Sequence, residues 1–186
     1  MLARSRLPLG ERAGGSRAGV DFAGASLRPF PLSERSRANR LARPMILVGP
    51  SRIHGQGAFA GRPFDEGELI GVYEGKRYSA RQVGRRTWET GLTYVFGLSD
   101  GSVIDAAVGG NATKHLNHSC APNCEAHEEI GPDGEARVVF YALRSIRAGE
   151  ELFLDYSLVV DETEEPEAFG CSCGTARCRG TMLYAP

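Results

Sequence analysis

Long apolar runs are missing from this 186-residue chain. Nothing in it approaches the roughly 18 consecutive apolar residues of a membrane-crossing helix, which excludes a helical span. The N-terminus also lacks the short apolar stretch of a secretory leader, so the expected setting is a reducing interior: cytoplasmic, or nuclear if the source is eukaryotic. No sequence repeat recurs, which excludes solenoids and arrays. Cysteines are few and unevenly spaced. Five of them, with Cys171, Cys173 and Cys178 crowded together, make no paired disulfide framework. Clustered thiols in a reducing compartment read first as metal ligands.

An excess of either charge sign is also lacking, the formal net charge being −1. That average conceals two unlike parts. Residues 1–44 hold nine arginines against Glu11, Asp21 and Glu34, which leaves thirteen basic and twenty acidic residues from Met45 onward, a net of −7. An acidic body suits a basic partner and argues against direct nucleic-acid binding, except through the basic tail. Residues 1–44 are rich in Arg, Gly, Ser, Ala and Pro and show no sustained apolar period, so they are expected to form a disordered tail. Composition leaves four roles open for it: a targeting arm, a nucleic-acid tether, a solvated tail, or codons upstream of a true start at Met45.

What is present begins at Met45. Short runs of β character follow one another at 45–49, 57–61, 68–75, 93–101, 102–106, 136–143 and 150–156, which predicts about seven strands. The turn signals Asp65-Glu66-Gly67, Ser99-Asp100-Gly101 and Pro132-Asp133-Gly134 fall between them. Only 79–90 reads as helix, with Ser79 as its N-cap. The 41% hydrophobic content supports one core, and the expected fold is mainly β, with several small sheets. Five carboxylates and a proline crowd residues 161–167, a composition that stays hydrated and marks a linker or rim.

Three segments carry the chemical signal. They are Leu116-Asn117-His118-Ser119-Cys120-Ala121-Pro122-Asn123-Cys124, then Gly149-Glu150-Glu151-Leu152-Phe153-Leu154-Asp155-Tyr156, then Cys171-Ser172-Cys173-Gly174-Thr175-Ala176-Arg177-Cys178-Arg179-Gly180. Together with Gly55-Gln56-Gly57, Tyr73-Glu74-Gly75 and Tyr94-Val95-Phe96, and in this order, they resemble the SET-domain protein-lysine methyltransferases followed by a post-SET cysteine segment. The likeness runs over residues 46–184. It implies a catalytic domain at 45–160, an acidic linker at 161–168 and a zinc-binding lid at 169–186, with a pseudoknot-like crossing near Asn117 and Tyr156.

The resemblance also assigns roles. Gly55, Gln56, Gly57, Tyr94, Asn117 and His118 would bind S-adenosylmethionine, with Leu183 reaching it from the lid. Tyr156 would be the catalytic tyrosine with Tyr73 as a second catalytic residue, and Tyr73, Leu154 and Tyr156 would line the lysine channel. Cys120 would join Cys171, Cys173 and Cys178 on zinc, completing the four ligands that structural zinc requires. Cys124 is then surplus, a small buried hydrophobe. Leu154 stands where relatives usually carry Phe or Tyr, and its smaller bulk leaves room for repeated methylation. Lys114-His115 replaces a commoner Arg-aromatic pair.

Elementary chemistry agrees with these roles. A lysine ammonium of pKa about 10.4 costs roughly 4.6 kcal/mol to neutralise at pH 7, and an apolar aromatic passage beside a sulfonium lowers that cost. A tyrosine titrating near 10 is a poor general base, so Tyr156 is expected to orient the amine rather than deprotonate it. The expected partner is a basic protein carrying the target lysine, met by a monomer or weak dimer. Rival readings are a catalytically silent SET-type binding module stabilised by zinc, and a zinc-held interaction module without cofactor. The preference for arginine, twenty against two lysines, leans toward a GC-rich, bacterial genome.

Overall fold

The computed structural model describes residues 3–4, 44–83, 94–159 and 165–184. Among the described residues four small sheets carry the fold. The first is a hairpin, β2 (Ile46–Pro50) against β3 (Gln56–Ala60), whose register sets Gly49 opposite Gly57. The second has the order β4-β10-β9, built from β4 (Leu69–Val72), β9 (Cys124–Ile130) and β10 (Ala136–Ala142). The third has the order β1-β6-β7-β5, from β1 (Ala3–Arg4), β5 (Lys76–Tyr78), β6 (Val95–Gly97) and β7 (Val103–Asp105). The fourth is a two-residue parallel pair, β8 (Asn117–His118) beside β11 (Phe153–Leu154). The protein is mainly β, as the strand pattern predicts. Among the described residues no helix is long and apolar enough to cross a membrane.

The sequence explains the central strand best. In β10 the consecutive run Val138, Val139 and Phe140 is buried, because the strand is flanked by β4 and β9 and covered on both faces. Phe140 is wholly buried and contributes about 2 kcal/mol over an exposed ring. Around it pack Phe64, Ile70, Tyr73, Phe96, Ile104, Ile146, Leu152 and Leu154 in one core. Edge strand β9 carries Glu125, Glu128 and Glu129 and has little β propensity of its own; it is a strand because all seven of its residues pair in register with β10. The hairpins close at the expected turns. The Gly101 N–H donates to the Leu98 carbonyl at 3.1 Å between β6 and β7, and the Gly134 N–H donates to the Gly131 carbonyl at 2.9 Å between β9 and β10.

Two readings of the sequence need refinement. The run 150–156 is two pieces rather than one strand: the Ala60 N–H donates to the Glu150 carbonyl and the Leu152 N–H to the Ala58 carbonyl, which lays 150–152 along the free edge of β3, and the chain then crosses to β8. The predicted helix is seen as α1 (Ala80–Val83), where the Ser79 N–H donates to Gln82 Oε1 at 2.9 Å, the returning half of a capping box. The remainder of that expected helix, 84–90, lies outside the described residues. So do 1–2 and 5–43 of the Arg-rich tail, of which Ala3–Arg4 is seen as β1, parallel to β6. Residue 160 and residues 161–164 of the acidic stretch are likewise outside them, while 165–168 are exposed and lead through the 3-10 turn Pro166–Phe169 to the buried Phe169.

Candidate functional site

A cavity of about 540 Å³ opens between the sheets, within the size range of small-molecule sites. Three stretches that are far apart in sequence wall it. The early loop gives Gly55 and Gln56, the β8 region gives Asn117 and His118, and the β11 end gives Leu154 and Tyr156. Tyr73, Tyr94 and Phe96 supply an aromatic wall, and Gly170, Cys171, Ser172 and Met182 close it from the C-terminal segment.

The early loop turns where Gly55 adopts φ 46°, the left-handed region that favours glycine. Gly57 has a different reason. A Cβ there would collide with the carboxylate of Glu151, which lies over the loop because 150–152 runs beside β3. Glu151 is a site residue that the motif reading left without a role. Its Oε1 accepts a hydrogen bond from Asn117 Nδ2 at 3.1 Å, and the same amide nitrogen donates to the Gln56 carbonyl at 3.1 Å and the His54 carbonyl at 3.3 Å. Asn117 therefore staples β8 to the early loop. Asn123 is a second such residue. Buried to 1% exposure, it accepts the Phe153 N–H at 2.7 Å and donates to the Glu151 carbonyl at 2.8 Å, fixing where the chain crosses toward β11. An asparagine placed next to buried strand backbone was the available signal.

His118 and Tyr156 meet directly. The Tyr156 backbone N–H donates to His118 Nδ1 at 3.1 Å, and the two rings stand edge to face with centroids 5.3 Å apart. A lone pair at Nδ1 leaves the proton on Nε2, which faces Cys120 Sγ at 3.4 Å. Burial first, and the Arg179 charge after it, push the His118 pKa down to about 4 against the pull of Asp155, so the imidazole is neutral at pH 7. The 3.7 Å approach of Asp155 to Nδ1 is accordingly no ion pair, since that nitrogen carries no proton.

Tyr73 and Tyr156, the two tyrosines expected to line a channel, point their hydroxyls at backbone carbonyls. Tyr156 Oη donates to the Leu116 carbonyl and Tyr73 Oη to the Tyr94 carbonyl, each at 2.8 Å. Burial, the largest cause, raises both phenol pKa values well above the tyrosine norm, so both remain protonated. Leu154, only 4% exposed, forms the wall beside them. The unusual Lys114-His115 pair packs on Tyr94: the ammonium lies 5.4 Å over that ring and the imidazole meets it edgewise at 6.0 Å.

The four expected metal-ligand cysteines converge. The sulfurs of Cys120, Cys171, Cys173 and Cys178 all lie within 4.8 Å of one another, and none is in a disulfide. Four thiolates about 2.3 Å from a common ion stand roughly 3.8 Å apart in a tetrahedron. The Cys120–Cys171 separation is 3.7 Å. This set can hold one metal ion. Cys124 sits apart, buried in the core, where its thiol is pushed up to about 12 by burial.

Of the expected cofactor and channel residues, Gly55, Gln56, Tyr73, Tyr94, Asn117, His118, Leu154 and Tyr156 line one cavity. Gly57 lies beneath Glu151, behind the lining. In the C-terminal segment it is Met182 that lines the cavity, while Leu183 pairs with Leu158 and packs on the core. Successive side chains of an extended stretch face opposite ways, so only one of the two faces inward.

Comparison with known proteins gives a consistent picture. The SET domain family matches residues 55–157. Histone-lysine N-methyltransferase 2B of Homo sapiens is 33% identical over 163 residues, covering 81% of this chain and 6% of its own. The H3 lysine-4 specific histone-lysine N-methyltransferase of Schizosaccharomyces pombe is 35% identical over 153 residues, 80% of this chain and 16% of its own. The chain therefore spans a small part of the length of these relatives. Among solved structures, ctPRC2 in an autoinhibited conformation bound to S-adenosylmethionine superimposes with a TM-score of 0.53 at 29% identity, covering 65% of this chain and 16% of that one.

Proposed function

Because the chain belongs to the SET-domain family, we propose that it methylates a lysine side chain of a basic protein, taking the methyl group from S-adenosylmethionine. The carrying observation is the contact between Tyr156 and His118 inside one cavity with Asn117. A distant phenol would have separated the methyl-donor pocket from the lysine passage. S-adenosylmethionine fits what lines the cavity: close backbone approach at Gly55, carbonyls at His54 and Gln56 beside the Asn117 amide for an amino-acid end, and room for a nucleoside.

When bound, S-adenosylmethionine supplies an electrophilic methyl on a positive sulfonium. The chain's residues prepare the other reactant. Tyr73, Tyr94, Phe96 and Leu154 offer an apolar passage that disfavours an ammonium, so the amine enters neutral after its proton leaves to water. Tyr156 keeps its proton and aims the nitrogen lone pair, helped by the Leu116 carbonyl that anchors its hydroxyl. The gain is one of orientation and preset electrostatics. Held beside Gly55, Gln56 and Asn117, S-adenosylmethionine would supply the methyl and keep its sulfur as a neutral thioether, the positive charge passing to the methylated amine.

Zinc is the proposed ion of the four-cysteine cluster, because four thiolates at tetrahedral spacing suit it. Cys120 belongs to the same segment as Asn117 and His118, so zinc would tie the lid to the cofactor pocket. The relatives' names point to histones as substrates for them; for this chain the proposed class is a basic protein, met by an acidic body in the cytoplasm or nucleus. Leu154 leaves the passage wide enough for more than one methyl. The proposed divisions are a tail at 1–44, the catalytic domain at 45–160, a linker at 161–168 and the lid at 169–186. The test is incubation with isotopically labelled S-adenosylmethionine and a panel of basic proteins, with the modified residues mapped by mass spectrometry. Label on lysine supports the proposal; tight cofactor binding without transfer would favour the silent module, and no cofactor binding would leave only a metal-held interaction domain.

A further inference from the structure

Arg179 is tied at two points. Its backbone N–H donates to Cys120 Sγ at 3.4 Å, and its guanidinium forks onto both oxygens of Asp155, each at 2.7 Å. The side chains keep 30% and 23% of their exposure, so the pair is partly sheltered. Fork geometry of this kind separates strong charge-assisted pairs from the many surface pairs that contribute little. Burial alone would raise the Asp155 pKa, but the Arg179 bonds and charge outweigh it and hold the carboxylate below its usual value.

Asp155 occupies a critical place in the chain. It separates Leu154 from Tyr156, and its Oδ1 accepts the Ser157 N–H at 3.2 Å. Ser157 adopts φ 45°, a left-handed backbone that is costly for a residue other than glycine. One carboxylate thus secures the strained turn after the tyrosine and receives the arginine of the lid. The lid, in turn, places Gly170, Cys171, Ser172 and Met182 against the cavity. Neither Arg179 nor Asp155 lines that cavity.

We propose that Arg179 is a positioning residue for the cofactor: its fork onto Asp155 latches the cysteine lid over the cavity, independently of the bonds the sulfurs make to a metal. The inference rests on the reading of the cavity as the S-adenosylmethionine site. It explains why an arginine follows the last cysteine directly. A Lys could supply the charge but only a point contact, and a neutral side chain could not hold the carboxylate.

The test uses the full chain with Arg179→Gln, Arg179→Lys, Asp155→Asn and the double variant Asp155→Asn/Arg179→Gln. Asn keeps an oxygen for the Ser157 N–H, so it removes the fork without releasing the turn. S-adenosylmethionine affinity is read by calorimetry, bound zinc by a colorimetric chelator, and stability by thermal denaturation. Arg179→Gln is expected to weaken cofactor binding about tenfold. Its zinc content should stay unchanged, Arg179→Lys should recover part of the loss, and the double variant should bind no worse than Arg179→Gln. Native affinity in Arg179→Gln, or a loss accompanied by zinc release and left unrelieved by Lys, overturns the latch. Failure of the unaltered protein to bind S-adenosylmethionine overturns instead the function on which the latch depends.

Discussion

Replacing Tyr156 by Phe removes one oxygen from the cavity wall and leaves its other contacts in place. The bond from Tyr156 to His118 Nδ1 comes from the backbone, and the edge-to-face ring contact at 5.3 Å needs no hydroxyl, so the Asn117-His118 pocket should survive the change. What disappears is the 2.8 Å bond to the Leu116 carbonyl, together with the oxygen that accepts an N–H of the substrate amine and so aims its lone pair. Leaving one sheltered carbonyl unpaired costs about 1 kcal/mol of stability, which lowers Tm by roughly 3–5 °C in a domain of this size. Losing an oriented hydrogen-bond partner at the reacting centre costs far more, about 10²–10³ in kcat if it matches a transition-state donor. Methyl transfer measured with labelled cofactor, beside calorimetric affinity and a melting curve, separates the two effects. Turnover within about threefold of the native value would refute the role given to the hydroxyl, because a loss so small falls below the range for a transition-state donor. A collapse of cofactor affinity would refute the claim that the pocket stands without it.

Other perturbations should separate the parts of the site. Leu154→Phe places a larger ring beside Tyr73 and Tyr156 and should shift the product toward the monomethyl form in mass spectra; unaltered enzyme that gives only monomethyl-lysine would contradict the wide passage. Gly57→Ala should push Glu151 off Asn117 and weaken S-adenosylmethionine at least about tenfold, and native affinity would remove Glu151 from the site. Cys173→Ser, or a strong chelator, should release one zinc per chain and lower both Tm and cofactor affinity; a metal-free protein with full affinity would disconnect lid from pocket. Because burial keeps both phenols protonated, kcat/KM should climb about tenfold per pH unit through the neutral range as the substrate amine loses its proton. A plateau with an apparent pKa near 7 would indicate a protein base instead.

Several parts of the architecture were legible because their residues carry local signals. The Val-Val-Phe run of β10 and the Asp-Gly turns state their structure within a few residues, and the cysteine trio announces a ligand set short of one member. Other parts have no local mark. β9 is acidic and reads as a loop until β10 lies beside it. β8 and β11 are two residues each, too short for periodicity, and they pair across the fold. Glu151 reads as one carboxylate in an acidic body, yet its carboxylate lies where a Cβ on Gly57 would stand. The resemblance assigns Leu183 to the cofactor, and only the direction of the extended stretch shows that Met182 is the one facing the cavity. Arg179 and Asp155, joined across 24 positions, stand inside two different motifs, and nothing local marks them as partners.

The parallel ladder between β8 and β11 also bears on the order of assembly. Asn117 and Phe153 become neighbours only after the intervening chain has closed on itself, and the β9–β10 hairpin lies wholly inside that loop. A hairpin of nearby residues forms early and draws the two ends together, shortening the closure that remains. A refolding chain should therefore regain its sheet signal before it regains any capacity to hold a nucleoside. Newly made protein would pass through an interval in which it is largely structured and enzymatically inert.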